Sequence, residues 1–278
     1  MGILGISRVN ESRWTSEYDA VISVDLGWSP RRTSRTAIAI WRPGQDPVWT
    51  KPGSSPDLLK LIGSFRGDRV LVLLDIPIRG TEGLSKDDPF RPLDRALIGC
   101  GIPLYPSYRA GSLGRDLANA IEGISGGFMV VESYPFPAHR FMWAAREEPW
   151  CLEEEVRPVR GLERWRDIWP PKYKRGPLPE RRGNLRELVG VLGKFLPGDY
   201  SQLLPGPESG SKDLDALGDL YDALVALRCG MEMARSSPWI LEARVEGHEG
   251  MIPLLADTHL RDTWEEAVAR FTLRAGSP

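Results

Sequence analysis

The amino-acid sequence predicts an α/β protein, and three observations carry that expectation. Short β-branched runs near the start are separated by turn residues at hairpin spacing. Two continuous apolar runs, residues 69–75 and 128–133, have the composition of strands covered on both faces. Between and after them lie segments whose apolar residues recur every three or four positions, the period of a helix with one buried side.

Taken in order, the first strand is expected over Ala20-Val21-Ile22-Ser23-Val24-Asp25-Leu26, stopping at Gly27-Trp28-Ser29-Pro30. A polar turn, Arg31-Arg32-Thr33-Ser34-Arg35, leads to a second strand over 36–41. So short a connection predicts an antiparallel hairpin. Val48-Trp49-Thr50 is a short third strand, and 56–65 a helix with Leu58, Leu59, Leu61 and Ile62 on its apolar side. The buried strand 69–75 follows, then a polar loop over 80–89 and helices over 91–100 and 115–122. The next buried strand is 128–133.

Between Cys151 and Asn184 the composition changes. Arg157, Arg160, Arg164, Arg166, Lys172, Lys174, Arg175, Arg181 and Arg182 crowd together with Trp150, Trp165, Trp169 and Tyr173. Pro170, Pro171, Pro177 and Pro179 are expected to break any long helix. The segment reads either as a solvated insertion whose tryptophans pack back onto the core, or as a mobile basic arm that meets phosphates and stacks bases. A helix over 184–196, a Pro/Gly-rich linker over 199–210, a hairpin over 240–253 and a closing helix over 258–273 complete the pass.

The linker leads into the most informative helix, which begins at Lys212. Leu214, Leu217, Tyr221 and Leu224 form its buried side, and Asp215, Asp219 and Asp222 recur at i, i+4, i+7 beside it. Asp213 points the other way and suits the N-terminal turn. Stacked carboxylates on an apolar helix repel one another unless they are exposed, paired with bases, or hold a cation. An exposed acidic first turn is the plain alternative.

Composition narrows the function. With 41% hydrophobic and 27% charged residues the chain is of globular type, and a net charge of −2 gives no global attraction for nucleic acid, so any such attraction is local. Three scattered cysteines without a CxxC pair point to a reducing compartment and away from structural zinc. Three histidines far apart in sequence disfavour a histidine-based metal cluster. Residues 1–18 lack the apolar core of a signal peptide, and no run approaches a membrane span, so a cytoplasmic protein without a membrane partner is expected.

The chemistry lies in the acids. Asp25, Asp75 and Glu132 each stand at or near the C-terminal end of an apolar strand, where sites collect in α/β sheets. Together with the acidic helix they make a candidate cluster of hard oxygen donors.

The ordered motifs Val24-Asp25-Leu26-Gly27-Trp28-Ser29-Pro30, Leu74-Asp75-Ile76-Pro77, Arg91-Pro92-Leu93-Asp94-Arg95, Val131-Glu132-Ser133-Tyr134-Pro135, Lys172-Tyr173-Lys174-Arg175 and Asp219-Leu220-Tyr221-Asp222-Ala223 resemble the family of predicted nucleases with a ribonuclease-H-like fold that is filed as domain of unknown function 429. The resemblance spans roughly residues 21–253. It implies one ribonuclease-H-like domain over 1–278: a mixed sheet of three antiparallel strands followed by parallel strands, with helices on both faces. The basic, aromatic-rich insertion would occupy about 150–184, and the C-terminal hairpin and helix about 240–273.

It also implies a divalent-metal-dependent nuclease that hydrolyses phosphodiesters by a two-metal carboxylate mechanism. Asp25 would bridge both ions, Asp75 would join it, and Asp222 would close the site from the helix. Glu132 and Asp219 would be further ligands or supporting acids. Oxygen-only ligands indicate Mg²⁺ or Mn²⁺. Lys172, Lys174 and Arg175 would contact the phosphate of a DNA or RNA partner, with Arg91 and Arg95 further out or simply paired with nearby acids. Where the family often carries a second acid beside the position of Asp219, this chain has Gly218. A non-catalytic nucleic-acid- or partner-binding protein on the same fold is the second reading. A nucleotide phosphotransferase or ATPase is the third, disfavoured because Trp28 and Pro30 obstruct a phosphate-binding turn after the first strand.

Overall fold

The alternation of apolar residues along each strand sorts the chain into layers. The structure, a computed structural model, describes residues 16–27 and 35–275, with side chains described as far as residue 270. The turn expected between the first two strands lies, from residue 28 to 34, outside the described residues, as do residues 1–15 of the amino-terminal segment.

A five-stranded mixed sheet is built from β1 (Ala20–Asp25), β2 (Ala37–Trp41), β3 (Val48–Thr50), β4 (Val70–Leu74) and β5 (Phe128–Glu132), in the order β3-β2-β1-β4-β5. β1 pairs antiparallel with β2, and β2 with β3. β4 runs parallel to β1, and β5 parallel to β4. The hairpin spacing of the first strands and the fully apolar β4 thus have one cause: the outer strands return directly, whereas the parallel strands need covered crossovers.

Period-two alternation sends side chains to opposite faces. On one face Ile22, Val24, Ile38, Val70 and Val72 pack against α1 (Ser55–Gly63) and α3 (Leu113–Glu122). The other face carries Val21, Ala37, Ala39, Leu71 and Leu73. It meets the long α6 (Ser211–Ala234), with α4 (Pro135–Ala144) and α5 (Leu178–Phe195) behind it. β6 (Ile240–Ala243) and β7 (Ile252–Leu255) form a separate antiparallel pair, and α7 (Thr258–Ala275) packs beside α2 (Pro92–Gly99).

α6 lies very close to the sheet. A Cβ on Gly230 would stand 2.3 Å from Leu73 Cδ1 and 2.8 Å from Val21 Cγ1, so only glycine permits this approach. Nearer the site, the Ser23 hydroxyl donates to the backbone carbonyl of Ala223 and pins α6 to β1. That contact sets Asp222 beside the end of β1.

One expectation needs correction, one helix was not foreseen, and one of the two readings of the basic segment falls. Pro177 and Pro179 do not break a helix; they start one, because α5 begins at Leu178, with Pro177 at its N-cap and Pro179 in the first turn, where no intrahelical N–H is needed. α4 was not foreseen, although Pro135 opens it in the same way. The basic segment is no stand-off arm: Cys151, Leu152, Val159, Leu162, Trp165 and Tyr173 are all buried in the main core. Among the described residues no helix is long and apolar enough to cross a membrane.

Candidate active site

The C-terminal ends of β1 and β4 and the third and fourth turns of α6 bring acids to one place. Asp25 continues the Val21 and Ser23 face of β1, so it points toward α6. Asp75 follows the Leu71 and Leu73 face of β4 in the same sense. From α6 come Asp219 and Asp222. Asp25, Asp219 and Asp222 are only 6%, 4% and 8% exposed, which dismisses the exposed first turn for the latter two. Asp215, one turn earlier, is partly exposed and pairs with Arg181 at 2.6 Å. Asp213 accepts from the backbone N–H of Gly210 at 2.9 Å and caps the helix, as its position in the sequence suggested.

Lys174 reaches into the middle of this cluster. Its Nζ is 2.5 Å from Asp222 Oδ2, 3.4 Å from Asp219 Oδ1 and 3.9 Å from Asp25 Oδ2. Two further cations approach Asp219 Oδ2 from the rim, Lys51 at 3.6 Å and Arg35 at 3.7 Å. Tyr173 donates its hydroxyl to Asp222 Oδ1. Its ring lies against Gly218, where a Cβ would come within 3.0 Å of the ring. Gly218 therefore makes room for the tyrosine that orients Asp222, and a second acid at that position would displace it.

Four carboxylates against these cations leave the site short of positive charge. Burial is the main cause of a raised pKa at Asp25, Asp75 and Asp219. Lys174 opposes the shift at each, while the neighbouring acids add to it. Asp75 is pushed up to about 7, with a hydrogen bond to Asp25 working the other way. For Lys174, burial disfavours the charge, but Asp222 and Asp25 outweigh it and raise the pKa. Asp25 Oδ2 and Asp219 Oδ2 are buried with no hydrogen-bond partner among the described residues. His139 lies beneath, edge-on to Tyr221, and burial holds it neutral with a pKa lowered to about 4.

Glu132 stands apart from the four. It pairs in register with Leu74, whose side chain belongs to the opposite face, and β-strand parity turns it away from α6. Both its oxygens are taken by Arg91, Oε1 at 2.5 Å and Oε2 at 2.6 Å, and the Ile78 N–H adds a third bond. Arg91 also binds Asp94 at 2.6 Å. Only 1% exposed, it is a buried crosslink rather than an outer phosphate contact. Arg95 pairs with Asp88 at the surface. Lys172 and Arg175 are exposed, and Arg175 Nη2 reaches the Tyr105 hydroxyl at 3.3 Å.

Of the residues singled out from the sequence, the fold gathers Asp25, Asp75, Asp219, Asp222 and Lys174. It leaves Glu132, Lys172 and Arg175 at the margin. Lys51 and Arg35 went unnoticed, since an isolated cation after a short strand or turn carries no local signal. Tyr173 was noted as one aromatic among several and as part of the motif Lys172-Tyr173-Lys174-Arg175, without a role of its own. Among the described residues no three acid, cysteine or histidine side chains surround one point as a metal would require. The Lys174 ammonium stands between the acids instead.

Fold and site together define a mixed α/β protein with a buried carboxylate cluster at the C-terminal ends of parallel strands. No protein-family model matches the chain, and no curated protein or solved structure matches it either.

Proposed function

We propose that this protein is a divalent-metal-dependent nuclease of ribonuclease-H-like fold, in the family named by its ordered motifs. The observation that carries the reading is the convergence of Asp25, Asp75, Asp219 and Asp222 from two parallel strands and one helix, with two buried carboxylate oxygens left without hydrogen bonds. The ammonium and guanidinium groups of Lys174, Lys51 and Arg35 stand 3.6–3.9 Å from these two oxygens, beyond hydrogen-bond distance, and so leave room for closer coordination. The sheet, antiparallel strands first and parallel strands after, agrees with the fold the motifs imply.

In donor chemistry the four acids match Mg²⁺ or Mn²⁺, because every donor is a hard oxygen, and to hold one they would close around it in place of the Lys174 ammonium. A pair of such ions would supply an activated water and stabilisation of the leaving oxygen of a phosphodiester. The remaining work belongs to the chain. Tyr173 orients Asp222 through its hydroxyl. Lys174 neutralises the acids until a ligand arrives, then is free to turn to the phosphate. Arg91 holds Glu132 and so fixes the end of β5. Lys172 and Arg175 offer exposed positive charge to a DNA or RNA backbone.

The same lysine favours a second reading, a non-catalytic nucleic-acid- or partner-binding protein. An ammonium 2.5 Å from Asp222 also suits a purely structural ion pair. Calorimetric titration of Mn²⁺ separates the two. The nuclease reading expects binding by the wild type, at least about tenfold weaker in Asp25→Asn, and Mg²⁺- or Mn²⁺-dependent cleavage of labelled DNA or RNA. Equal affinity in both proteins, with no cleavage of single or double strands of either nucleic acid, refutes it.

A further inference from the structure

Beside the acids a row of aromatic rings runs to the surface. Tyr134, two residues past the end of β5, is partly buried and donates its hydroxyl to the carbonyl of Pro103. Its ring is 6.2 Å from Phe136, and Phe136 is 5.9 Å from Trp169. Tyr105 is joined by a hydrogen bond to Arg175, the sequence neighbour of the Lys174 that enters the acid cluster. Trp169 and Tyr105 are 55% and 58% exposed, unusual for residues of that size.

The row is held from behind. The guanidinium of Arg140 lies 4.7 Å from the centroid of Phe136 and 4.9 Å from those of Trp165 and Trp169. One nitrogen donates to the carbonyls of Gly101 and Trp165. Nε and Nη2 are buried without a hydrogen-bond partner among the described residues, so the rings are what face them. A desolvated cation against three aromatic rings is a strong orienting contact. It braces Trp169 while much of that side chain stays in water. Of the four aromatics in the basic segment, Trp165 and Tyr173 are buried, the latter holding Asp222, and Trp150, exposed, has no comparable support among the described residues.

We propose that Tyr105 and Trp169 form a stacking platform for the unpaired bases of a single-stranded nucleic acid. The strand's phosphates would lie along Lys172 and Arg175 and lead it to the acid cluster. Exposed rings attract any planar ligand, but flanking cations and continuity with an oxygen-donor site select one that is planar and anionic at repeating intervals. A duplex hides its base faces and gains nothing from the platform. The inference rests on the nuclease reading for its choice of ligand, and its test does not need turnover.

The test is fluorescence anisotropy with a labelled oligothymidylate, an oligouridylate and a DNA duplex, in EDTA at low salt. The proteins are wild type, Trp169→Ala, Trp169→Phe, Tyr105→Ala and Asp25→Asn. Single strands of one or both chemistries should bind the wild type more tightly than the duplex does. Trp169→Ala and Tyr105→Ala should each weaken them by about 5- to 150-fold, and Trp169→Phe should recover most of the loss. Circular dichroism establishes that each variant is folded. Wild-type binding that neither alanine variant weakens, equal binding of the duplex, or no binding of either single strand overturns the platform. Loss on Trp169→Ala in a protein that never cleaves supports the platform while the nuclease reading fails. Cleavage with unaltered binding by both alanine variants does the reverse.

Discussion

Removing the charge of Asp75 should make the protein more stable, and increasingly so as pH rises. Burial and the nearby Asp222 carry the pKa of Asp75 from 3.8 to about 7. In the folded state the carboxyl therefore keeps its proton between about pH 4 and 7, where the unfolded chain has lost it. Stability falls as pH rises through that window and stays low above it. A shift of about three units is worth about 4 kcal/mol when complete, at pH 8, and about 2 kcal/mol at pH 5.

Asp75→Asn keeps the shape and cannot ionise, so its advantage over wild type in metal-free buffer should grow by about 3 kcal/mol between those pH values. His139, with its pKa lowered to about 4, works in the opposite direction: it adds stability as pH rises from about 4 to 6.5. Because both proteins contain it, it cancels in the difference. Urea unfolding in EDTA at pH 5 and pH 8 reads that difference directly. An advantage that is absent, or that shrinks with pH, refutes the electrostatic account of the cluster. Repeating the pH 8 measurement in excess Mn²⁺ extends the test, since an ion bound among the acids stabilises only the wild type and should narrow the gap.

Arg91→Met leaves Glu132 and Asp94 buried without their cation and should cost about 3–5 kcal/mol in chemical denaturation; a cost under about 1 kcal/mol would mean that water reaches the pair. Gly230→Ala gains helix propensity of about 1 kcal/mol, yet its methyl meets Leu73 and Val21. Overpacking of about 1–3 kcal/mol against that gain leaves a net destabilisation of up to about 2 kcal/mol in thermal melts, and a rise in stability would show that α6 shifts freely. Asp25→Asn should lose at least about tenfold in Mn²⁺ affinity by calorimetry while remaining folded.

Sequence by itself determined the local elements and the inventory of acids. Strands 20–25, 37–41, 70–74 and 128–132 and the helix that begins near Lys212 are legible because their periodicity is local and strong. The i, i+4, i+7 spacing of Asp215, Asp219 and Asp222 is legible for the same reason. What local pattern does not contain is which face of a strand meets which helix. Asp25 and Asp75 share a face with α6, and Glu132, one residue out of phase with Asp75 in the sheet register, does not. That parity is set by pairing between strands far apart in the chain.

The tertiary structure also decided between the two readings of the basic segment, a packed-back insertion or a mobile arm. Packing buries Trp165 and Tyr173 and carries Lys174 into the acids. Trp169 is left braced on Arg140 at the surface. A side chain's charge or ring is written in the sequence; whether it is spent inside or offered outside depends on neighbours that only the folded chain brings together.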